Sequence, residues 1–156
     1  MFFFKTPEKI LSNPDPGVAI RDLVSRLGRR SYNELTSAEK KLLLLNMLQS
    51  EVLNGTVEQY LTNSSGDFYS ETLTALDEVN ASTTRSILTE IAGWFEDGKP
   101  SPDRGARIRQ VEAIKTHNGA DHEKIIRRET KRLQASFPEM HARLVEYLRL
   151  HADELR

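Results

Sequence analysis

An all-α fold, built as a single compact multi-helix domain of about seven or eight helices over residues 1–156, is the class this sequence predicts. Three observations predict it. Apolar residues recur three and four positions apart along nearly the whole chain. Helix start and stop signals fall where that periodicity begins and ends. No segment alternates apolar and polar residues for long enough to read as a strand. A chain of 156 residues buries roughly 70% of the surface its unfolded form exposes, so the core needs no staple. With no cysteine, disulfides, thiol catalysis and cysteine-type zinc sites are excluded.

The opening MFFFKTPEK is too short in apolar residues for a signal peptide, and no apolar run approaches the ~20 residues of a membrane span. We therefore read the protein as cytoplasmic, with no membrane association. The first helix with a full set of signals starts at Asp15 and Pro16, carries Ile20, Leu23, Val24 and Leu27 on one stripe, and stops at Gly28. Thr36 and Glu39 then stand at capping-box spacing before a leucine-rich helix that ends at Asn54-Gly55. Leu42, Leu45, Leu48 and Val52 give that helix a wide apolar face, which predicts a central position.

Thr56 is placed to cap a short helix through Tyr60 and Leu61, and Ser65 or Asp67 to cap the next, on which Tyr69, Leu73, Leu76 and Val79 share a face up to Asn80. Ser82 opens another, with Ile87, Leu88, Ile91, Trp94 and Phe95 pointing inward until DGKPSP breaks the pattern. The spacing predicts polar helices over 103–116, interrupted by Gly105, and over 121–136, with a final helix from about Pro138. The Pro/Gly-containing stretch 97–105 separates residues 31–98 from the C-terminal helices of 101–156, and residues 1–30 form an N-terminal extension.

The formal charge of −1 conceals an uneven distribution. Residues 1–30 carry +3, residues 31–100 carry −7 and residues 101–156 carry +3. No lysine or arginine stands between Lys41 and Arg85, while Glu51, Glu58, Asp67, Glu71, Asp77 and Glu78 all do. Such a window predicts an acidic surface with Glu58, Asp67, Glu71, Asp77 and Glu78 as contact residues for a basic partner.

The stretch EVLNGTVEQYLTNSSGDFY resembles the signature of a bacterial all-helical domain-of-unknown-function family typified by a DNA-mimic protein, E-x-x-N-G-G-x-x-Q-aromatic-x-x-N-S-S-G. Glu51, Asn54, Gly55, Gln59, Tyr60, Asn63, Ser64, Ser65 and Gly66 match it, and Thr56 replaces the second glycine. The resemblance is continuous from about Leu35 to Phe95, within a family-like core of 31–98, and loose in the C-terminal third. It implies an all-helical fold and, for the typifying member, binding to a DNA-binding regulator through an acidic surface that imitates the duplex.

Read from the residues alone, Asn54-Gly55 is a helix C-cap with glycine in the left-handed conformation. Gln59 and Asn63 lie one helical turn apart, and with Tyr60, Ser64, Ser65, Gly66 and Asp67 they either satisfy backbone groups at two helix ends or wall a small polar pocket. His117, Asp121 and His122 lack the one-face spacing of a helical zinc site, so no metal is assigned and the imidazoles are read as exposed. Lys124, Arg127, Arg128, Lys131 and Arg132 recur at helical spacing but interleave with Glu123 and Glu129, which points to a salt-bridged solvated helix rather than to direct nucleic-acid binding. With no phosphate-binding glycine loop, nucleophile elbow or dinucleotide fingerprint, we expect a non-enzymatic protein-binding module without cofactors, its partner being a basic transcriptional regulator by resemblance. Two alternatives stay open: a small-ligand or catalytic site at the 59–67 corner, and a structural homo-oligomer associating through the leucine-rich helix.

Overall fold

In a computed structural model that describes residues 5–156, every regular element is helical: α1 (Pro7–Leu11), α2 (Pro16–Leu27), α3 (Ser37–Asn54), α4 (Val57–Thr62), α5 (Tyr69–Glu78), α6 (Ser82–Ala92), α7 (Arg104–Asn118) and α8 (His122–Leu150). The start of MFFFKTPEK lies outside the described residues. Helices α3, α5, α6 and α8 close a ring in which each packs on the next, α2 lies over α3 and α8, and α4 joins α3 to α7 at one end.

The central position expected for α3 holds. Its capping box is formed, with Glu39 N donating to Thr36 Oγ1 (3.2 Å) and Thr36 N donating to Glu39 Oε2 (3.0 Å). Its leucines at 42, 44, 45 and 48 and Val52 are all buried, because neighbours cover it on several sides. In α2, Asp15 caps through Gly17 N and Val18 N. Asn80 ends α5 with φ of 61°, a left-handed geometry that asparagine tolerates.

Several boundaries differ from the sequence reading. Residues 121–136 and the segment from Pro138 form one helix, α8, 29 residues long, with the proline inside it. A buried stripe of Leu133, Phe137, Met140, Leu144 and Leu148 runs across the proline, so tertiary packing outweighs the one backbone hydrogen bond Pro138 removes. Gly105 is the second residue of α7 and interrupts nothing, and Asp103 caps that helix through Ala106 N at 2.7 Å. Ser82 is the first helical residue of α6 and Ala81 stands at its cap. Helix α6 ends at Ala92, so Trp94 and Phe95 belong to the turn that follows, the former half-buried and the latter buried.

Neither Ser65 nor Asp67 caps α5. A 3-10 turn, Ser64–Phe68, runs directly into it, and both side chains are engaged elsewhere. Gly55 has φ −157° and is not left-handed. A β-carbon there would collide with the side chain of Gln59, lying 2.7 Å from Cδ, so close approach rather than backbone sign selects glycine.

Candidate functional site

The polar residues of the 51–67 corner converge on one carboxylate. Glu51, on the last turns of α3, accepts from Gln59 Nε2 (2.7 Å) and Asn63 Nδ2 (3.0 Å) on Oε2 and from Ser65 Oγ (2.9 Å) on Oε1. Because Gln59 and Asn63 sit one turn apart at the two ends of α4's last turn, both amides reach the same oxygen. Burial pushes the Glu51 carboxyl up, but the three donors outweigh it and hold the group below its ordinary value. Tyr60 is fully buried and donates to Thr72 Oγ1 (3.1 Å), with the Tyr69 ring 6.0 Å away. Burial holds the Tyr60 phenol well above the ordinary range, so it stays a neutral donor. Asn54 and Ser64 are exposed.

Thr56 makes no side-chain cap to α4; the Val57 N–H that begins the helix donates instead to Thr130 Oγ1 of α8, at 3.0 Å. At the other end of α4 the carbonyls are held by α7. Arg107 is fully buried. Its Nε donates to Leu61 O (2.5 Å), Nη2 to Asn63 O (2.8 Å) and Asp67 Oδ1 (2.7 Å), and Nη1 to Ser101 O (2.8 Å) and Pro102 O (3.3 Å). Arg104 Nε takes the intervening Thr62 O at 2.9 Å. A guanidinium has five N–H donors in a planar fork, and this one aims all of them at oxygen. Gly66 makes room for it: a β-carbon there would lie 2.7 Å from Arg107 Nε and 2.7 Å from Tyr60 O.

Arg107 was invisible to sequence reasoning. One arginine in a polar helix has no diagnostic spacing, and arginine is usually exposed. The N-S-S-G match, with its glycine at a site of close approach, was the only sequence signal nearby.

The five acidic contact candidates occupy different surroundings. Glu58 Oε2 lies 2.5 Å from His122 Nε2, with the imidazole's Nδ1 3.2 Å from Asn118 Nδ2. His122 is thus buried, against the expectation of exposed imidazoles, and His141 is half-buried against Gln49. Asp67 is held by Arg107. Glu71, Asp77 and Glu78 lie exposed on α5, Asp77 3.3 Å from Arg85 and Glu78 2.6 Å from Lys41.

The three arginines of the basic run are salt-bridged, Arg127 to Glu123 (3.0 Å), Arg128 to Glu129 (2.9 Å), and Arg132 to Glu90 (2.7 Å) and Glu129 (2.8 Å), while Lys124 and Lys131 are exposed. Among the described residues no group of three or more histidine, aspartate or glutamate side chains is placed to hold a metal ion, and no helix is long and apolar enough to cross a membrane.

Fold and corner together define an all-helical domain in which α3, α4 and α7 are fastened through Glu51 and Arg107 at a glycine-bearing turn. The chain belongs to the DMP19-like protein family, whose model matches residues 33–151. That match takes in α7 and α8 up to its C-terminus. No curated protein and no solved structure matches the chain.

Proposed function

We propose that the chain is a non-enzymatic, cytoplasmic protein-binding module that engages a basic DNA-binding regulator through the acidic surface of α5, α6 and the turn after them, in the manner of a DNA mimic. Membership of a family typified by a DNA mimic supports this reading. One observation carries it: from Tyr69 to Gly98 the chain exposes six carboxylates, Glu71, Asp77, Glu78, Glu90, Glu96 and Asp97, against a single cation, Arg85. A DNA-binding protein typically engages roughly 6–10 phosphates, so this segment reaches the lower end of that scale in number of carboxylates, with Glu71, Glu96 and Asp97 in no ion pair among the described residues and Asp77, Glu78 and Glu90 paired with Arg85, Lys41 and Arg132. Glu58 on α4 faces His122 and Asp67 on the turn after it faces Arg107, while on α5 Asp77 faces Arg85 and Glu78 faces Lys41, so Glu71 is the exposed acid of α5 with no ion pair among the described residues and the leading point of the contact.

The test is capture of partners from a lysate of the source cells at low and high salt, using the native chain and a Glu71→Lys/Asp77→Lys variant as baits. A DNA-binding protein retained by the native bait, released by salt, released by added duplex DNA and missed by the variant is the expected result. Retention indifferent to salt and to the two charges would remove the proposal.

A further inference from the structure

Helix α7 packs chiefly on α4, fastened there by Arg107, and between α7, the turn after α6 and the first turns of α8 it leaves a cleft of about 710 Å³. Binding sites for small molecules and inserted side chains commonly span roughly 300–1,000 Å³. Trp94, Phe95, Ile114 and Ile125 give it apolar walls, and Glu96 and Asp97 stand on its rim. Trp94 is half-buried although its neighbours Phe95 and Ile91 are fully buried. Glu96 and Asp97 are exposed and, among the described residues, take part in no ion pair or side-chain hydrogen bond, whereas Glu58, Asp67, Asp77, Glu78 and Glu90 each hold a cation or imidazole of the chain. Across the cleft Arg128 directs Nε to Glu129 at 2.9 Å, so its charge is matched on its own wall.

We propose that this cleft accepts an arginine side chain presented by a protein partner. The alkyl stem lies along Ile114 and Ile125, the guanidinium covers the Trp94 indole, and the carboxylates of Glu96 and Asp97 receive its N–H fork. An indole face attracts a cation more strongly than any other aromatic side chain. Arginine suits the site better than lysine because its head is planar, weakly hydrated and forked to match a carboxylate. The cleft is several times larger than one arginine side chain, so residues flanking the arginine enter with it. The inference rests on the protein-binding reading above only for the partner's basic character.

Trp94 is the chain's single tryptophan, so its emission reports on the cleft alone. The full chain is titrated with a capped Ala-Leu-Arg-Leu-Ala peptide and, in parallel, with the same peptide carrying citrulline, which keeps the shape of arginine without its charge. The expected result is a saturable change in emission with the arginine peptide, weakened about tenfold by citrulline, by Glu96→Gln/Asp97→Asn and by high salt. The double variant alters only exposed side chains, and an unchanged melting temperature verifies its fold. Equal binding of the two peptides, equal binding by the variant, or no response of Trp94 to the arginine peptide overturns the proposal. Because the titration needs no natural partner, its failure is separate from that of lysate capture by α5.

Discussion

The carboxylate of Asp67 lies 2.7 Å from Nη2 of the fully buried Arg107, joining the turn after α4 to a helix forty positions further along the chain. Asp67 is the partly exposed member, at 38% of its side chain, while the carbonyls of Leu61, Asn63, Ser101 and Pro102 complete the cradle. The pair is a fastening between α4 and α7.

Removing the arginine strands its acceptors. Arg107→Met leaves four backbone carbonyls without their donor, and we expect a loss of about 3–5 kcal/mol in urea denaturation. Arg107→Lys recovers little, because a lysine ammonium cannot span five oxygens in a plane. Asp67→Asn costs only about 1 kcal/mol, the site being half open to solvent. Asp67→Lys places a second cation against Arg107 and unfastens α7, so loss of a partner by that variant reports misfolding and not a lost contact.

The two glycines of the corner separate by what a β-carbon meets. At Gly66 it meets backbone oxygens of Tyr60 and Leu61 at 2.7 and 2.9 Å, which cannot move without shifting α4. At Gly55 the nearest atoms all belong to the Gln59 side chain, whose amide end can rotate away at the expense of its bond to Glu51. Gly66→Ala should therefore lower stability by about 3 kcal/mol or more and Gly55→Ala by about 1 kcal/mol, read from thermal melts of the two variants.

Stability should fall in acid with a contribution assignable to Glu51. Its carboxyl is held below the ordinary value of 4.5 in the folded chain. A depressed group of this kind stabilises fully above its unfolded value and ceases to do so as pH drops through its folded one. The melting temperature should begin to fall as pH drops below about 6.5, where burial disfavours the charged form of His141, and should decline more steeply below about 4.5, where Glu51 contributes. Glu51→Gln should melt lower at neutral pH, by about 1–2 kcal/mol, and decline less steeply in acid. Part of the slope will remain. Burial pushes the Glu39 carboxyl up as well, but bonds from Thr36 N, Arg156 N and Arg30 outweigh it and hold that group low.

Neutralising the exposed acids of α5 should leave the fold intact. Glu71→Gln and Asp77→Asn change solvated positions, so each variant should melt within about 0.5 kcal/mol of the parent. Their effect should instead fall on association with a basic partner, chiefly on its rate and salt dependence, measured by surface-bound kinetics at two ionic strengths.

By itself the sequence determined the helical class, the place of α3 at the centre and the position of most caps, because these follow from contacts within a few residues: the i, i+3, i+4 apolar stripe, the Thr36–Glu39 box, Asp15 before Pro16. It also drew attention to the polar residues of 59–67, without showing that their common partner is Glu51. The tertiary structure decided what the corner does. Glu51 and Gln59 stand eight positions apart and meet only because α3 and α4 fold back on each other at Gly55. Arg107 finds Asp67 and the α4 carbonyls only once α7 has docked. Packing likewise decided that α8 continues through Pro138, since a buried face shared with α6, α2 and α3 outweighs one missing hydrogen bond. Local spacing encodes which face of a helix is apolar. It carries no record of which distant donor will answer a given carboxylate, and that is why Glu51, Glu58 and Asp67 of one acidic window are answered by Ser65, His122 and Arg107 while Glu71 of the same window stands exposed.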